Sequence, residues 1–511
     1  MRHRTLVIEV VLIALSGCPG GGGGIGENCD STSDCDGSLQ CSSGACVPRC
    51  ARAPDCGDGY SCDSDGICLV ATGQPGDGCT SEVDCSTGLS CRIDGSSVDS
   101  NNRLLASCSA QNAGRPPGTT CAVDADCRNG TCALGHCVDL CRANRDCDSG
   151  ETCMVIPRIE ADGAVFSGCL PSKGNVAWTI SVAGPTADLL FPVPSGARSG
   201  SLVFSVDDPA QRVGARSVIS PTAQQLYAPC YVFSEGCDAV ADFYKQIIRH
   251  QPLLGQSVIS LPSTPSVPLE TGVYRVQVAS YLPNGTVGSA IPHVTASVRI
   301  DAAVLLDLHF NFLNLEAHMC EGSFGSAHFN AAAAQNQTFF QNDFLGELRE
   351  IFAHGGIALG SVTYQDVLDH PELDALDVTE DSGSLLALGD HATGINVFFV
   401  RTLSPVGLQA FGPNPGPAGL AHTSQSGIAI GVDTLCYRSW SQLARLTAHE
   451  IARYMGLHHN VELGADAVQD WRDKIQDTDD SESNLMYFSE FGGTDITRDQ
   501  RDILTRSGVL R

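Results

Sequence analysis

A histidine and a glutamate with metal-site spacing lie near the end of the sequence. The segment reads His449-Glu450-Ile451-Ala452-Arg453-Tyr454-Met455-Gly456-Leu457-His458-His459. In a helix with the pattern HExxH, two histidines four residues apart share one face and bind zinc, and the glutamate activates the metal-bound water. Here Arg453 stands where the second histidine belongs. The segment predicts a zinc site with His449 as a ligand, Glu450 as the general base and one ligand replaced.

A longer pattern extends this motif. In HExxHxxGxxH a glycine ends the helix and a turn returns a third histidine to the metal, and Gly456 and His459 occupy those positions. Met486, 27 residues after His459, lies in Ser483-Asn484-Leu485-Met486-Tyr487, which is similar to a methionine turn. Residues 301–511 therefore resemble a metzincin metallopeptidase of the pappalysin type. The resemblance implies an α+β fold, His449 and His459 as zinc ligands and Met486 beneath the site.

Arg453 determines what chemistry to expect. A guanidinium has no free lone pair and keeps its charge, so it cannot ligate zinc and repels the dication. His458 is an alternative ligand, although neighbouring residues usually point apart. Arg453 either bonds Glu450, three residues earlier, in the place of the cation, or extends to solvent at the cleft. We expect zinc to bind weakly or not at all.

Three functions follow as alternatives. The first is a pseudoenzyme, a metzincin relative with an impaired zinc site that binds or scaffolds a protein or peptide ligand. The second is an active zinc endopeptidase with an unusual ligand set, in which Glu450 is the general base and His449 and His459 are the protein ligands. The third is an adhesion or recognition protein that acts through its cysteine-rich repeats.

Cysteine spacing defines a second region, residues 29–169, which holds 20 of the 25 cysteines. They form five modules of four cysteines, in which turn formers such as Asp36-Gly37 replace large apolar residues. We expect each module to close two disulfides within itself, with three possible connectivities, and we favour this over zinc binding. The modules resemble repeats of bacterial surface lipoproteins and, in spacing, the cysteine-rich region of the dickkopf proteins.

Export and anchoring are predicted from the first residues. Residues 1–17 hold Arg2, Arg4 and a short apolar run, which favours a signal peptide. The sequence Leu15-Ser16-Gly17-Cys18 resembles a bacterial lipobox and implies that Cys18 is lipidated. Residues 18–28 are a glycine-rich tether. We expect a secreted lipoprotein anchored in the cell envelope, at the outer membrane or cell surface.

Composition restricts the remaining possibilities. The 511 residues include 30 Lys and Arg against 58 Asp and Glu, a net charge of −28, which argues against nucleic acid as a partner.

Between residues 174 and 300 the alternating pattern of Leu202, Phe204 and Val206 predicts a β-sandwich. The sequence therefore predicts a multidomain protein with disulfide-rich repeats, a β-sandwich and a metzincin-like domain. The remaining cysteines are expected to pair as Cys230–Cys237 and Cys320–Cys436.

Overall fold

The computed structural model describes residues 27–42, 45–56, 60–62, 66–230, 239–313, 315, 329–463, 470–489 and 492–511. The predicted signal peptide, Cys18 and most of the tether lie outside these residues. Cys230 and Cys436 are disulfide-bonded, and their predicted partners Cys237 and Cys320 lie outside the described residues. None of the helices described here is both long and apolar enough to span a membrane.

The cysteine-rich region consists of five small modules that each contain two internal disulfides, as predicted. In every module the first cysteine bonds the third and the second bonds the fourth, as in Cys29–Cys41 and Cys35–Cys46. The strands are β1 (Leu39–Ser42), β2 (Ala45–Pro48), β3 (Tyr60–Cys62), β4 (Cys68–Val70), β5 (Gly78–Cys79), β6 (Leu89–Val98), β7 (Leu104–Ala110), β8 (Cys132–Ala133), β9 (His136–Cys137), β10 (Glu151–Pro157) and β11 (Val165–Pro171). Short 3-10 turns precede the second cysteine of each module, at Thr32–Asp34, Ala53–Cys56, Glu82–Asp84, Asp124–Asp126 and Asn144–Asp146, and a sixth spans Ile159–Ala161.

An aspartate before the second cysteine organises each module. Asp34 Oδ2 accepts hydrogen bonds from the backbone N–H groups of Asp30 and Ser31 at 3.0 and 2.8 Å. The corresponding aspartates of the other modules, Asp55, Asp84, Asp126 and Asp146, likewise accept from backbone N–H groups three or four residues earlier. A local carboxylate thus satisfies backbone donors that a larger domain would pair within helices or sheets.

The middle region forms two antiparallel sheets that enclose a common apolar core, which confirms the predicted β-sandwich. Its elements are β12 (Asn175–Ile180), β13 (Thr186–Val193), β14 (Ser199–Ser205), β15 (Arg212–Ile219), β16 (Gln225–Tyr227), α1 (Ala239–Lys245), β17 (Leu253–Leu254), β18 (Gln256–Leu261), β19 (Gly272–Tyr281) and β20 (His293–Arg299). One sheet has the order β12-β20-β14-β18, and the other has β13-β19-β15-β16 with β17 against β15. Side chains of modules 3 to 5, among them Leu140, Ile156 and Phe166, join the same buried cluster.

The C-terminal region combines a five-stranded sheet with helices. Its elements are β21 (Leu305–Leu313), α2 (Ala331–Asn336), a π-helical turn (Phe339–Phe344) that continues into α3 (Leu345–His354), β22 (Ala358–Val367), a 3-10 turn (Pro371–Leu373), β23 (Ala375–Asp377), α4 (Ser382–Leu386), β24 (Ile395–Val400), β25 (Thr402–Ser404), β26 (Ala410–Phe411), β27 (Ile428–Gly431), a 3-10 turn (Val432–Cys436), α5 (Trp440–Tyr454), β28 (Val461–Leu463), β29 (Asp470–Arg472) and α6 (Arg498–Arg506). The sheet order is β22-β21-β24-β27-β26, parallel except for the edge strand β26. Helices α3 and α5 pack on one face of this sheet around a core rich in phenylalanine.

Strand β21 is more deeply buried than its sequence predicts. The alternation from Leu306 to Phe312 predicts a half-buried strand with a solvent-facing polar side, yet both sides are buried. His309 is covered because its Nδ1 bonds Thr363 Oγ1 at 2.8 Å and its Nε2 bonds the Thr393 carbonyl at 2.9 Å. Its ring also stacks on His391. A central strand of a parallel sheet is covered on both faces, and here polar partners make that burial possible.

Candidate functional site

Helix α5 carries the start of the metal motif and has well-defined ends. Ser439 caps its N-terminus by accepting from Gln442 N–H, and the Gln442 side chain accepts from Ser439 N–H in return. Met455 is the C-terminal cap, and Gly456 follows with a φ of 108°. Because side chains rarely adopt a positive φ, a glycine is suited to this position. The turn at Gly456 redirects the chain so that His459 returns toward the helix.

The side chains of His449 and His459 lie next to each other. Their Nε2 atoms lie 3.1 Å apart. The His449 Nδ1–H donates to the Leu485 carbonyl at 2.7 Å, which leaves the lone pair of Nε2 directed at His459. Burial, with the neighbouring charges of His459, Arg445 and Arg453, lowers the pKa of His449 well below its ordinary value, so the ring is neutral. This is the protonation state and hydrogen bonding of a histidine ligand.

Arg453 lies against the glutamate of the motif. Its Nη1 is 3.4 Å from Glu450 Oε1 and 3.5 Å from Oε2. The Glu450 side chain is 6% exposed, and that of Arg453 is 29% exposed. Arg453 Nε is buried and makes no hydrogen bond. The two alternatives for Arg453 are thus combined: the guanidinium forms an ion pair with Glu450 while part of the side chain reaches solvent.

The segment around Met486 lies beside these residues and is held by several hydrogen bonds. Met486 is fully buried. Its N–H donates to Asn484 Oδ1 at 2.8 Å, and its carbonyl accepts from Asn460 N–H at 3.1 Å. The carbonyl of Leu485 is the acceptor for His449. The methionine segment therefore holds both the first histidine and the residue that follows His459.

Arg445 belongs to the same arrangement and was not singled out from the sequence. Its buried guanidinium donates to four carbonyls, those of Leu485, Tyr487, Ser489 and Gly493, at 3.1 to 3.2 Å. Burial lowers its pKa to about 10, so it keeps its charge at neutral pH. The only available signal was its position four residues before His449, on the same helix face. Arginines are common on helices, so this position alone does not indicate that Arg445 binds the Met486 segment.

His458 contacts residues outside the pair formed by His449 and His459. Its ring meets Phe243 of α1 edge-on, with centroids 6.2 Å apart. Its Nδ1 lies 3.3 Å from Asn414 Nδ2. The alternative in which His458 replaces the missing ligand gains no support from these contacts.

The residues present do not fit a catalytic zinc ion with three protein ligands. Two imidazole nitrogens on one tetrahedral zinc lie roughly 3.3 Å apart, given Zn–N distances of about 2.0–2.1 Å, and the observed 3.1 Å agrees with that. No described residue completes a set of three ligands with His449 and His459. Among the described residues, every group of three or more potential ligand atoms of His, Cys, Asp and Glu within 4.8 Å consists of cysteines, and these cysteines are all in disulfides.

Comparisons with known proteins leave this chain without an assigned family. No family profile matches it, and no curated protein matches it. Among solved structures, a likeness to the "Structure of infectious bursal disease virus Gx strain" has 13% identity and a TM-score of 0.13. It covers 54% of this chain and 65% of the viral chain, so slightly less than two thirds of the neighbour is spanned. A TM-score this low carries no argument about fold or function.

Proposed function

We propose that this protein is a cell-envelope lipoprotein whose C-terminal domain resembles a pappalysin-type metzincin with an impaired zinc site, and that it acts by binding or scaffolding a protein or peptide. The observation that carries the proposal is the contact of Arg453 with Glu450 at 3.4 Å. The lipid anchor on Cys18 and the envelope location rest on the N-terminal sequence alone.

The Arg453 contact removes two requirements of zinc hydrolysis together. A guanidinium offers five donors and no lone pair, so the second ligand position is lost. Its positive charge also acts on His449, and it would oppose the approach of a dication. The carboxylate that would accept a proton from water instead pairs with Arg453, in a setting where it is almost fully buried.

The likeness to a metzincin is supported by the contacts around Arg453. His449 and His459 face one another, Gly456 has the positive φ that the turn requires, and the Met486 segment bonds both histidine-bearing stretches. These residues resemble the surroundings of a metal ion, except that Arg453 stands at one ligand position. The proposed binding role is supported by the presence of this histidine pair and its turn in a region where Arg453 occupies the second ligand position.

A second candidate, an active zinc endopeptidase, is favoured by one observation. The neutral His449 and the 3.1 Å separation from His459 provide two nitrogens suitably placed for a shared metal. Water or a substrate group would have to supply the remaining coordination, and Arg453 would have to leave Glu450. We rank this candidate second because sites with only two protein ligands are poor catalytic zinc sites.

The decisive experiment compares the oxidised parent protein with Arg453→His. Zinc content after dialysis is measured by atomic emission, and protein cleavage is measured with casein. The parent is expected to retain well below one zinc per chain and to leave casein intact. Arg453→His is expected to bind zinc at least about 100-fold more tightly, because it restores a three-histidine set, with partial recovery of cleavage.

Arg501→His is the matched control, since it adds a histidine to an exposed position of helix α6. It is expected to behave as the parent. The proposal fails if the parent already holds one tightly bound zinc and cleaves casein, with cleavage abolished by Glu450→Ala and little changed by Arg453→His. That result would establish the endopeptidase.

A further inference from the structure

A cavity of about 490 Å³ lies between modules 4 and 5 and the first strand of the sandwich, β12. The apolar part of its wall includes Leu134 of module 4 and Ile156 and Phe166 of module 5. Trp178 of β12 lines it as well, and this ring stacks on Phe191 with centroids 5.8 Å apart. The volume is typical of cavities that bind ligands. We call this space the seam cavity.

The seam cavity follows the open edge of β12. This strand is the outermost one of its sheet and pairs only with β20. Ala177, Trp178 and Thr179 all line the cavity. Because successive side chains of a strand point to opposite faces, a cavity that contacts three successive residues runs along the edge of the strand.

Two hydrogen bonds show how the backbone of the central strand β20 is oriented. The Ile300 N–H donates to the carbonyl of Gly174, just before β12, at 3.4 Å. The Arg299 carbonyl accepts from the N–H of Arg198, just before β14, at 2.7 Å. Since the side to which backbone groups point alternates along an antiparallel strand, every second residue back from Ile300 also faces β12.

This alternation identifies the backbone groups of β12 that face the seam cavity. Ala296 faces β12, and its register partner there is Trp178. The N–H and carbonyl of Trp178 therefore belong to the ladder with β20, whereas those of Ala177 and Thr179 point to the open side. Within the described part of the chain, no backbone group bonds them there. An unpaired strand edge thus borders the cavity.

The rim of the seam cavity carries unequal charges. Arg158, which lines the cavity, forms ion pairs with both Asp124 and Glu160, the second at 3.4 Å. One guanidinium balances only one of these two carboxylates. The Glu160 side chain is 73% exposed, so it is accessible to a cationic group of a ligand.

We propose that the seam cavity binds an extended segment of a partner protein, which adds as a strand to the open edge of β12. Another strand supplies the backbone donors and acceptors that this edge lacks, and its alternating side chains place an apolar residue in the cavity. A lysine or arginine of the segment pairs with Glu160. The net charge of −28 favours such a basic partner and opposes a second copy of this chain.

This site is separate from the pair formed by His449 and His459. The residues that line the seam cavity all lie between positions 120 and 192, outside the C-terminal region. The proposal therefore goes beyond the function proposed for that region and does not depend on the state of Arg453.

The test measures binding of labelled peptides to the intact oxidised protein by fluorescence anisotropy. The probe is a fluorescein-labelled pool of seven-residue peptides with blocked ends, Lys-X-Thr-X-Thr-X-Lys, in which X is Leu, Ile, Val or Phe. A second pool has proline at the central X, which removes a backbone donor and disfavours strand addition. A third pool has glutamate in place of lysine. The first pool is expected to bind at least about tenfold more tightly than either of the others.

Thr179→Pro removes the outward N–H of β12 and leaves the ladder with β20 intact, because proline is tolerated where an edge N–H faces solvent. It is expected to weaken binding of the first pool at least about tenfold. Thr179→Ala is the matched control, since it removes the same side chain but keeps the N–H, and it is expected to bind as the parent does. Glu160→Lys, at an exposed position, is expected to reverse the preference between the lysine and glutamate pools.

Three results would overturn the proposal. One is a lysine pool that binds no better than the proline pool. Another is unchanged binding to both Thr179→Pro and Glu160→Lys. The third is self-association of the parent, seen by analytical ultracentrifugation and abolished by Thr179→Pro, which would assign the edge to a second copy. Arg453→His is expected to leave peptide binding unchanged, and loss of binding in that variant would place the peptide at the histidine pair instead.

Discussion

The cysteine-rich modules and the C-terminal region are held together by different means. The buried apolar cluster of module 1 consists of Cys29, Cys35, Leu39 and Cys46, so disulfide sulfur supplies most of it. The C-terminal cluster contains Phe310, Phe312, Phe329, Phe340, Phe344, Phe352, Phe399 and Trp440 among some forty buried residues. Chains too short to bury a core need covalent links, whereas a region of about 200 residues does not.

The difference is greatest for module 1, because modules 3 to 5 contribute side chains to the core of the sandwich whereas module 1 has only its small local cluster. In the C-terminal region, helix α5 and the Met486 segment both contribute to one large apolar core. The comparison leads to three tests, of which the first is expected to unfold an entire module.

Removing one disulfide is expected to unfold module 1 while module 5 withstands the same change better. Cys29→Ser with Cys41→Ser opens a loop with a sequence separation of 12, which costs about 3 kcal/mol, and little apolar surface remains. Cys141→Ser with Cys153→Ser opens an equal loop, but the hairpin beside it carries Met154, Ile156 and Phe166 into the larger cluster. Hydrogen exchange should show rapid exchange in residues 27–42 of the first variant and retained protection in β10 and β11 of the second. Equal protection of module 1 and module 5 in their respective variants would contradict this difference between the two modules.

A large side chain removed from the C-terminal core is expected to destabilise that region strongly. Phe340 is fully buried and meets the rings of Phe310, Phe344 and Trp440. Phe340→Ala should lower the free energy of unfolding by about 3–5 kcal/mol through lost burial and a cavity. Denaturant titration with a fluorescence signal measures it. Phe488→Ala, at a residue 38% exposed, is the control and should cost far less. Similar losses would mean that this core does not dominate stability.

The smallest expected effect concerns the end of the chain. The sequence predicts a capping box at Thr497 and Gln500, and the structure confirms it, with each side chain accepting from the other residue's N–H at 3.2 and 3.0 Å. Thr497→Ala should cost about 1 kcal/mol. Thermal unfolding measures the change, and Thr505→Ala, near the other end of α6, is the control. A loss no greater than that of Thr505→Ala would show that the cap contributes little.

Local features were predictable because their causes are close in the sequence. The disulfides of each module join cysteines that lie 10 to 23 residues apart, so spacing alone assigned them to modules. The helical pattern predicts a helix from about Trp440 to Met455, and helix α5 ends one residue earlier, at Tyr454. The apolar run from Ile395 to Val400 predicts a strand, and β24 has those bounds. Which cysteines pair within a module was left among three possibilities, and three-dimensional packing selected one.

Contacts between distant segments could not be predicted. Nothing in the sequence around Arg445 indicates that it binds the carbonyls of the Met486 segment some 40 residues later. The alternation of β21 did not reveal that His309 would be covered, because burial of a polar side chain depends on partners such as Thr363 from another strand.

The sequence by itself determined the disulfide-rich modules, the alternating strands of the sandwich and the residues that make up the metal-like motif, since periodicity and spacing act within short stretches of chain. Only the tertiary structure decided that Arg453 bonds Glu450, and that His449 is neutral and donates to the Leu485 carbonyl. The physical reason is that charge, protonation and burial depend on which atoms surround a group in space. Those neighbours come from segments that the sequence places far apart.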